Sequence, residues 1–272
     1  MINLTKHHGL GNDFLVCDTA QMHVGAPWAQ LAVAWCDRRT GIGADGLLLL
    51  TIVGPDELSM VLHNADGSRA EMSGNGIRCL AQAAYDARHR KGSVSYTVHT
   101  DAGARVVEVL PMGAYTVRAS VSMGAVDDLD EPHGWAAVGT DPARPVRHLS
   151  LGNPHTVVGV EDVGIIDLLS LGLMVPHVNL EIVEPGPEVH GITMRVHERG
   201  AGITQACGTG ACASAWAAAH WGLAVPDHGE ILVHMDGGDA TVRLNEPEQG
   251  HVTLVGPAVL VARLQLALPN EL

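Results

Sequence analysis

One pattern occurs twice in this chain of 272 residues: Ser73-Gly74-Asn75-Gly76 and Cys207-Gly208-Thr209-Gly210, 134 residues apart, each leading into a run of small apolar residues. A tight glycine turn opening such a run predicts the first turn of a helix. Leu80, Ala81, Ala83 and Ala84 in the first run, and Ala211, Ala213, Ala215, Ala217, Ala218 and Ala219 in the second, put small side chains on every side, so both helices are expected to be enclosed by other structure. The duplication extends further. Gly11-Asn12 followed by Phe14-Leu15-Val16, and Gly152-Asn153 followed by Thr156-Val157-Val158, each read as a turn that opens a strand. Pro27 to Asp37, apolar at 28, 31, 32 and 35, and Val163 to Leu171 each predict a surface helix.

Short β-branched runs lie at 13–18, 46–53, 58–63, 93–98, 104–110, 115–121, 155–160, 178–184, 191–197, 230–235, 239–244 and 251–255, separated by Gly, Pro, Asp and Asn. Many short strands and two central helices predict an α+β fold of two pseudosymmetric domains, each a curled antiparallel sheet or barrel around a helix. The halves are expected at 1–116 with 258–272, the last strand returning to the first domain, and at 117–257. Asp127 to Arg144, sprinkled with Asp, Pro and Gly, reads as an excursion on the surface.

The net charge of −14, with lysine only at positions 6 and 91, argues against a nucleic-acid or anionic-membrane surface and for a small-molecule partner. Apolar stretches such as Leu47 to Val53 are too short to span a bilayer, and the polar N-terminus lacks a signal pattern, so a soluble cytoplasmic protein is expected. Five cysteines, odd in number and unclustered, imply no disulfide framework. Sixteen histidines show no metal-ligand spacing, and no metal is expected.

Cys207 is the sharpest candidate for chemistry. A thiol at the start of a helix feels unpaired N–H groups and the positive end of the dipole, which is expected to lower its pKa, and Gly208-Thr209-Gly210 leaves backbone amides open to a ligand. The same N–H groups can hold a carboxylate. Asn12, Asn64, Asn75, Asn153 and Asn179, at or beside turns and strand ends, are either turn formers or donors to a bound amino acid. Glu198-Arg199 reads equally as an ordinary surface pair or as partners for an α-ammonium and a carboxylate. Gly41-Ile42-Gly43-Ala44-Asp45-Gly46 has dinucleotide-like glycine spacing, but polar residues precede it and an apolar run follows, the wrong context for that motif.

Together His8-Gly9-Leu10-Gly11-Asn12-Asp13-Phe14, Asn64-Ala65-Asp66-Gly67-Ser68, Ser73-Gly74-Asn75-Gly76, Gly152-Asn153-Pro154-His155, and Glu198-Arg199-Gly200-Ala201-Gly202 with Ala206-Cys207-Gly208-Thr209-Gly210 resemble the diaminopimelate epimerase family, in order along nearly the whole chain. The resemblance implies a cofactor-independent, homodimeric enzyme interconverting L,L- and meso-diaminopimelate for lysine and peptidoglycan synthesis. One thiolate removes the α-proton and a second thiol delivers a proton to the other face. It places the proton acceptor for the L,L substrate on Cys207, and substrate contacts on Asn12, Asn64, Gly74, Asn75, Asn153, Asn179, Glu198, Arg199, Gly208 and Thr209. His155 and Glu198 fall where the family has polar groups near the reacting carbon.

The departure is at position 73, where the family's second catalytic cysteine is replaced by serine. Serine is a good helix N-cap but a poor proton donor, because its alkoxide is far more basic than a thiolate. Either a native cysteine has been exchanged for serine, or this is a natural variant with a slowed or altered reaction. Slow or absent epimerisation is expected in both cases. The alternatives are a racemase of another amino acid, such as histidine, and an amino-acid-binding protein without turnover.

Overall fold

The computed structural model describes residues 1–22 and 25–266. The chain divides into two compact units, Met1–Val121 with the chain from Gly256, and Ser122–Val255.

In the first unit, β1 (Ile2–Gly9), β2 (Asn12–Asp18), α1 (Trp28–Cys36), β3 (Gly46–Ile52), β4 (Glu57–Asn64), β5 (Arg69–Ala70), α2 (Gly74–Ala87), β6 (Val94–Thr100), β7 (Gly103–Pro111) and β8 (Thr116–Ala125) follow in order. Hydrogen-bonded neighbours run β1, β2, β3, β4, β6, β7, β8, and the strand His251–Leu266 pairs with both β8 and β1, closing a ring of eight among the described residues. The helix α2 is buried from Gly74 to Tyr85, enclosed as its small side chains require. Two pairings are parallel, β2 with β3 and β4 with β6, because α1 and α2 make those connections. The sequence reading of antiparallel sheets omitted these crossovers.

The second unit repeats this order: β9 (Asp127–Asp128), α3 (Trp135–Val138), β10 (Val146–Ser150), β11 (Pro154–Gly159), α4 (Leu168–Met174), β12 (Asn179–Pro185), β13 (Gly191–Glu198), β14 (Gly202–Thr204), α5 (Gly208–Trp221), β15 (Glu230–Met235), β16 (Gly238–Leu244) and β17 (His251–Leu266). Again α4 and α5 join strands that pair in parallel, β11 with β12 and β13 with β15. β17 pairs with β16 through its first residues and with β1 through its last, so one strand serves both units.

Strands next to the outer helices are buried on both faces, with a division of labour set by the two-residue period. Leu47 and Leu49 of β3 pack under α1 with Leu31, Ala32 and Trp35. Leu180 and Ile182 of β12 pack under α4 with Leu168, leaving Asn179 and Glu181 on the opposite, helix-enclosing face.

Three expectations shift. The helix expected from Val163 begins only at Leu168, where the Asp167 carboxylate caps it by accepting the Ser170 N–H at 3.2 Å. The stretch from Asp127 to Arg144 is not wholly superficial, since Trp135 is buried against Val158 and Leu168. β1 was not among the expected strands, because its histidines interrupt the apolar pattern that marks a strand.

Candidate active site

Ser73 and Cys207 occupy equivalent places. Each has extended backbone dihedrals and caps a 14-residue helix: Ser73 Oγ accepts the Gly76 N–H at 3.0 Å, and Cys207 Sγ accepts the Gly210 N–H at 3.4 Å.

In the first unit Asn12 opens β2 and Asn75 lies in the first turn of α2, and their amides meet, Asn75 Nδ2 donating to Asn12 Oδ1 at 3.2 Å. The orientation of both amides is fixed from the ends. The Arg78 guanidinium, which only donates, bonds Asn75 Oδ1 at 2.7 Å, and the Asp45 carboxylate, which only accepts, takes the Asn12 Nδ2–H at 2.7 Å. Asp45 is itself bridged by Arg38 to Asp13. Burial alone would push the Asp13 carboxyl up, but hydrogen bonds from Arg38 and Lys6 hold it below the usual carboxylate range. Asn64 ends β4 and donates to Ser68 Oγ at 3.0 Å, while its backbone pairs with Gly46 on the neighbouring strand. Gly41 to Asp45 lies between α1 and β3, not after a strand and before a helix, and its contribution is Asp45.

In the second unit the expected residues converge around Cys207. Asn179 opens β12 and accepts the Arg199 backbone N–H at 2.9 Å, and its Nδ2 donates to the Pro154 carbonyl at 3.1 Å. Thus the Asn179 amide ties the end of β13, which carries Glu198, to the start of β11. Glu198 accepts a hydrogen bond from Thr204 Oγ1 and contacts the Cys207 thiol. Asn153 Nδ2 donates to Thr209 Oγ1 at 3.3 Å, and Thr209 Oγ1 lies 3.5 Å from Cys207 Sγ. His155 is fully buried, with Nε2 bonded to Asn153 Oδ1 at 3.1 Å and Nδ1 to Glu181 Oε1 at 2.6 Å.

The expected lowering of the Cys207 pKa is not found. Burial pushes the thiol well above its ordinary value, and the carboxylates of Glu198 and Glu181 add to this, outweighing the Thr209 hydroxyl and the Gly210 N–H. Burial also raises the Glu198 carboxyl, against the hydrogen bonds from Thr204 and Cys207. A helix terminus supplies only about 0.3–1 kcal/mol at an exposed site, less than the cost of ionising a sulfur enclosed beside two acids. In this state the thiol keeps its proton. A cation brought close to Glu198 and Cys207 would favour the thiolate.

Asp45, Arg78 and Glu181 were not singled out from the sequence. Each carries a signal that is legible afterwards: a charged residue inside an otherwise glycine-rich or apolar segment.

Solved structures share this two-unit architecture. A predicted epimerase from Pseudomonas aeruginosa superposes with a TM-score of 0.76 over 99% of this chain and 100% of its own, at 16% identity. A hydroxyproline epimerase from Agrobacterium vitis, with trans-4-hydroxy-L-proline bound, gives 0.68 over 97% and 90%, at 15% identity. This chain therefore shares its fold with solved structures that include epimerases. A family model described as diaminopimelate epimerase matches residues 4–127 and 148–261. Relatives named diaminopimelate epimerase are 39% identical in Thermosynechococcus vestitus, over 96% of this chain and 97% of theirs, and 38% identical in Bacteroides thetaiotaomicron, over 96% of each. The chain belongs to the diaminopimelate epimerase family.

Proposed function

We propose that this protein acts on free diaminopimelate, with Cys207 as the base that removes the α-proton of the L,L isomer. The observation that carries the reading is the matched pair of N-caps, a buried thiol on one helix and a hydroxyl on the other. Inversion at a carbon needs a base on one face and an acid on the other. The base falls to Cys207. Glu198 receives the substrate ammonium, whose charge offsets the carboxylates that keep the thiol protonated. The helix N-termini at Gly74-Asn75 and Gly208-Thr209 hold a carboxylate, and Asn12, Asn64, Asn153, Asn179 and Arg199 take the remaining polar groups of the substrate. No metal or organic cofactor enters this scheme. The two units are the two halves of the epimerase, and the enzyme is a cytoplasmic homodimer, as the family resemblance implies.

Ser73 is the weak partner. Its hydroxyl closes the helix start but returns a proton poorly, so the chain exchanges the α-proton more readily than it inverts the carbon. The experiment is α-proton exchange in deuterated buffer with L,L- and with meso-diaminopimelate. Exchange without inversion from one isomer is the expected result. A second reading, favoured by Ser73 alone, is ligand binding without turnover. Tight binding with no exchange from either isomer would select it.

A further inference from the structure

We propose that Glu181 is a positioning residue for the proton chemistry at Cys207, acting through His155, Asn153 and Thr209. The inference rests on the reading of Cys207 as the base.

Glu181 is fully buried on the helix-enclosing face of β12, and the neighbouring strand β11 places His155 on the same face. A buried acid paired with a histidine is at best neutral for stability compared with apolar side chains of similar size. Here it is less favourable still, because Glu181 Oε2 is buried with no hydrogen-bond partner among the described residues. The fold nevertheless makes room for it. A Cβ at Gly210, in the first turn of α5, would stand 2.7 Å from Glu181 Oε1 and 3.2 Å from Cys207 Cβ. Only glycine there lets the helix that carries the thiol lie against the carboxylate.

From Glu181 a continuous chain of contacts leads to sulfur: Oε1 to His155 Nδ1 at 2.6 Å, Nε2 to Asn153 Oδ1 at 3.1 Å, Asn153 Nδ2 to Thr209 Oγ1 at 3.3 Å, and Thr209 Oγ1 to Cys207 Sγ at 3.5 Å. Each link restricts the next. A carboxylate at 181 keeps a hydrogen on Nδ1, and the Asn153 carbonyl oxygen keeps one on Nε2. The amide then turns its N–H towards Thr209, whose hydroxyl hydrogen is left to face the sulfur. Without the carboxylate, the two ring tautomers and the two amide orientations become close alternatives. In half of them Thr209 turns its hydrogen to Asn153 and away from Cys207. Glu181 therefore decides which way the chain points without touching substrate.

The test compares the protein with its Glu181→Gln and Glu181→Leu forms, using glutamine as the isosteric variant in case leucine does not fold. The first readout is the ring ¹⁵N–¹H spectrum of His155. The parent is expected to show a ring with hydrogen on both Nδ1 and Nε2, and both variants a ring with hydrogen on one nitrogen, as one tautomer or a mixture of the two. The second is α-deuterium incorporation into L,L-diaminopimelate at saturation, expected to fall about tenfold or more with the half-saturating concentration little changed. A merely structural role would leave the hydrogens of the ring unchanged, or weaken binding and turnover together. An unchanged ring spectrum in the variants, or an unchanged saturated exchange rate, overturns the proposal. If the parent and its Ser73→Cys form both fail to exchange, the epimerase reading fails, and the ring spectrum still decides whether Glu181 sets the state of His155.

Discussion

Ser73 and Cys207 make the same contact with different atoms, an oxygen and a sulfur each accepting the N–H of the glycine three residues on, at 3.0 and 3.4 Å. The capping role is thus conserved between the two helices while the acidity of the capping group is not.

Replacing Ser73 by cysteine separates these roles. Ser73→Cys should lower stability by up to about 1 kcal/mol, since sulfur is the weaker cap, while raising epimerisation on the order of 10²-fold or more. Denaturant unfolding and a stereospecific assay of both isomers give the two numbers. Equal inversion rates in the two forms would exclude a two-thiol mechanism for this protein.

Removing the charge beside the thiol should make it more reactive in the empty protein. In Glu198→Gln a carboxylate that raises the Cys207 pKa is lost, and the thiolate fraction at a fixed mildly alkaline pH rises. Alkylation of Cys207 by iodoacetamide, followed by peptide mass analysis, should accelerate on the order of tenfold, equivalent to one pKa unit. The same variant should bind diaminopimelate more weakly, because the acceptor for its ammonium is gone.

Stability should fall in acid because of His7. This ring is buried in the first unit, its Nδ1 bonded to Gln82 Oε1 at 2.9 Å, and burial lowers its pKa to about 4. The unfolded chain takes up this proton near pH 6.5 and the folded chain only near 4, so stability rises with pH across that window and falls as the pH drops through it. The contribution is about 3 kcal/mol between the two limits. His7→Gln should lose that much less stability between pH 7 and pH 4 in parallel urea titrations.

Gly172 should resist a change that normally helps a helix. Alanine at an exposed helix interior gains about 1 kcal/mol over glycine, but a Cβ at Gly172 would fall inside the contact distance of the buried His197 ring. Gly172→Ala should therefore destabilise by about 1–3 kcal/mol, measured by denaturant unfolding. A gain in stability would mean that the packing of α4 on β13 is looser than these contacts require.

Much of this was legible along the chain, because local patterns carry local physics. The glycine turns and alanine runs mark α2 and α5, and the β-branched runs mark β2, β3, β4, β11, β12 and β13. The asparagines at 12, 64, 75, 153 and 179 stand where strands and helices begin or end. The protonation of Cys207 was misjudged for a reason the sequence does not hold. The helix terminus is visible as a motif, whereas the two carboxylates that oppose it come from β12 and β13, 26 and 9 residues away along the chain.

The sequence by itself determined the duplication, the two capped helices and the family, since each depends on residue order and spacing alone. Tertiary structure alone decided which charged groups meet their partners: Arg38 with Asp13 and Asp45 with Asn12 in one unit, Glu181 with His155 and Glu198 with Cys207 in the other. Electrostatic and hydrogen-bond energies depend on distance and burial, and strand pairing sets both by joining segments that are remote along the chain.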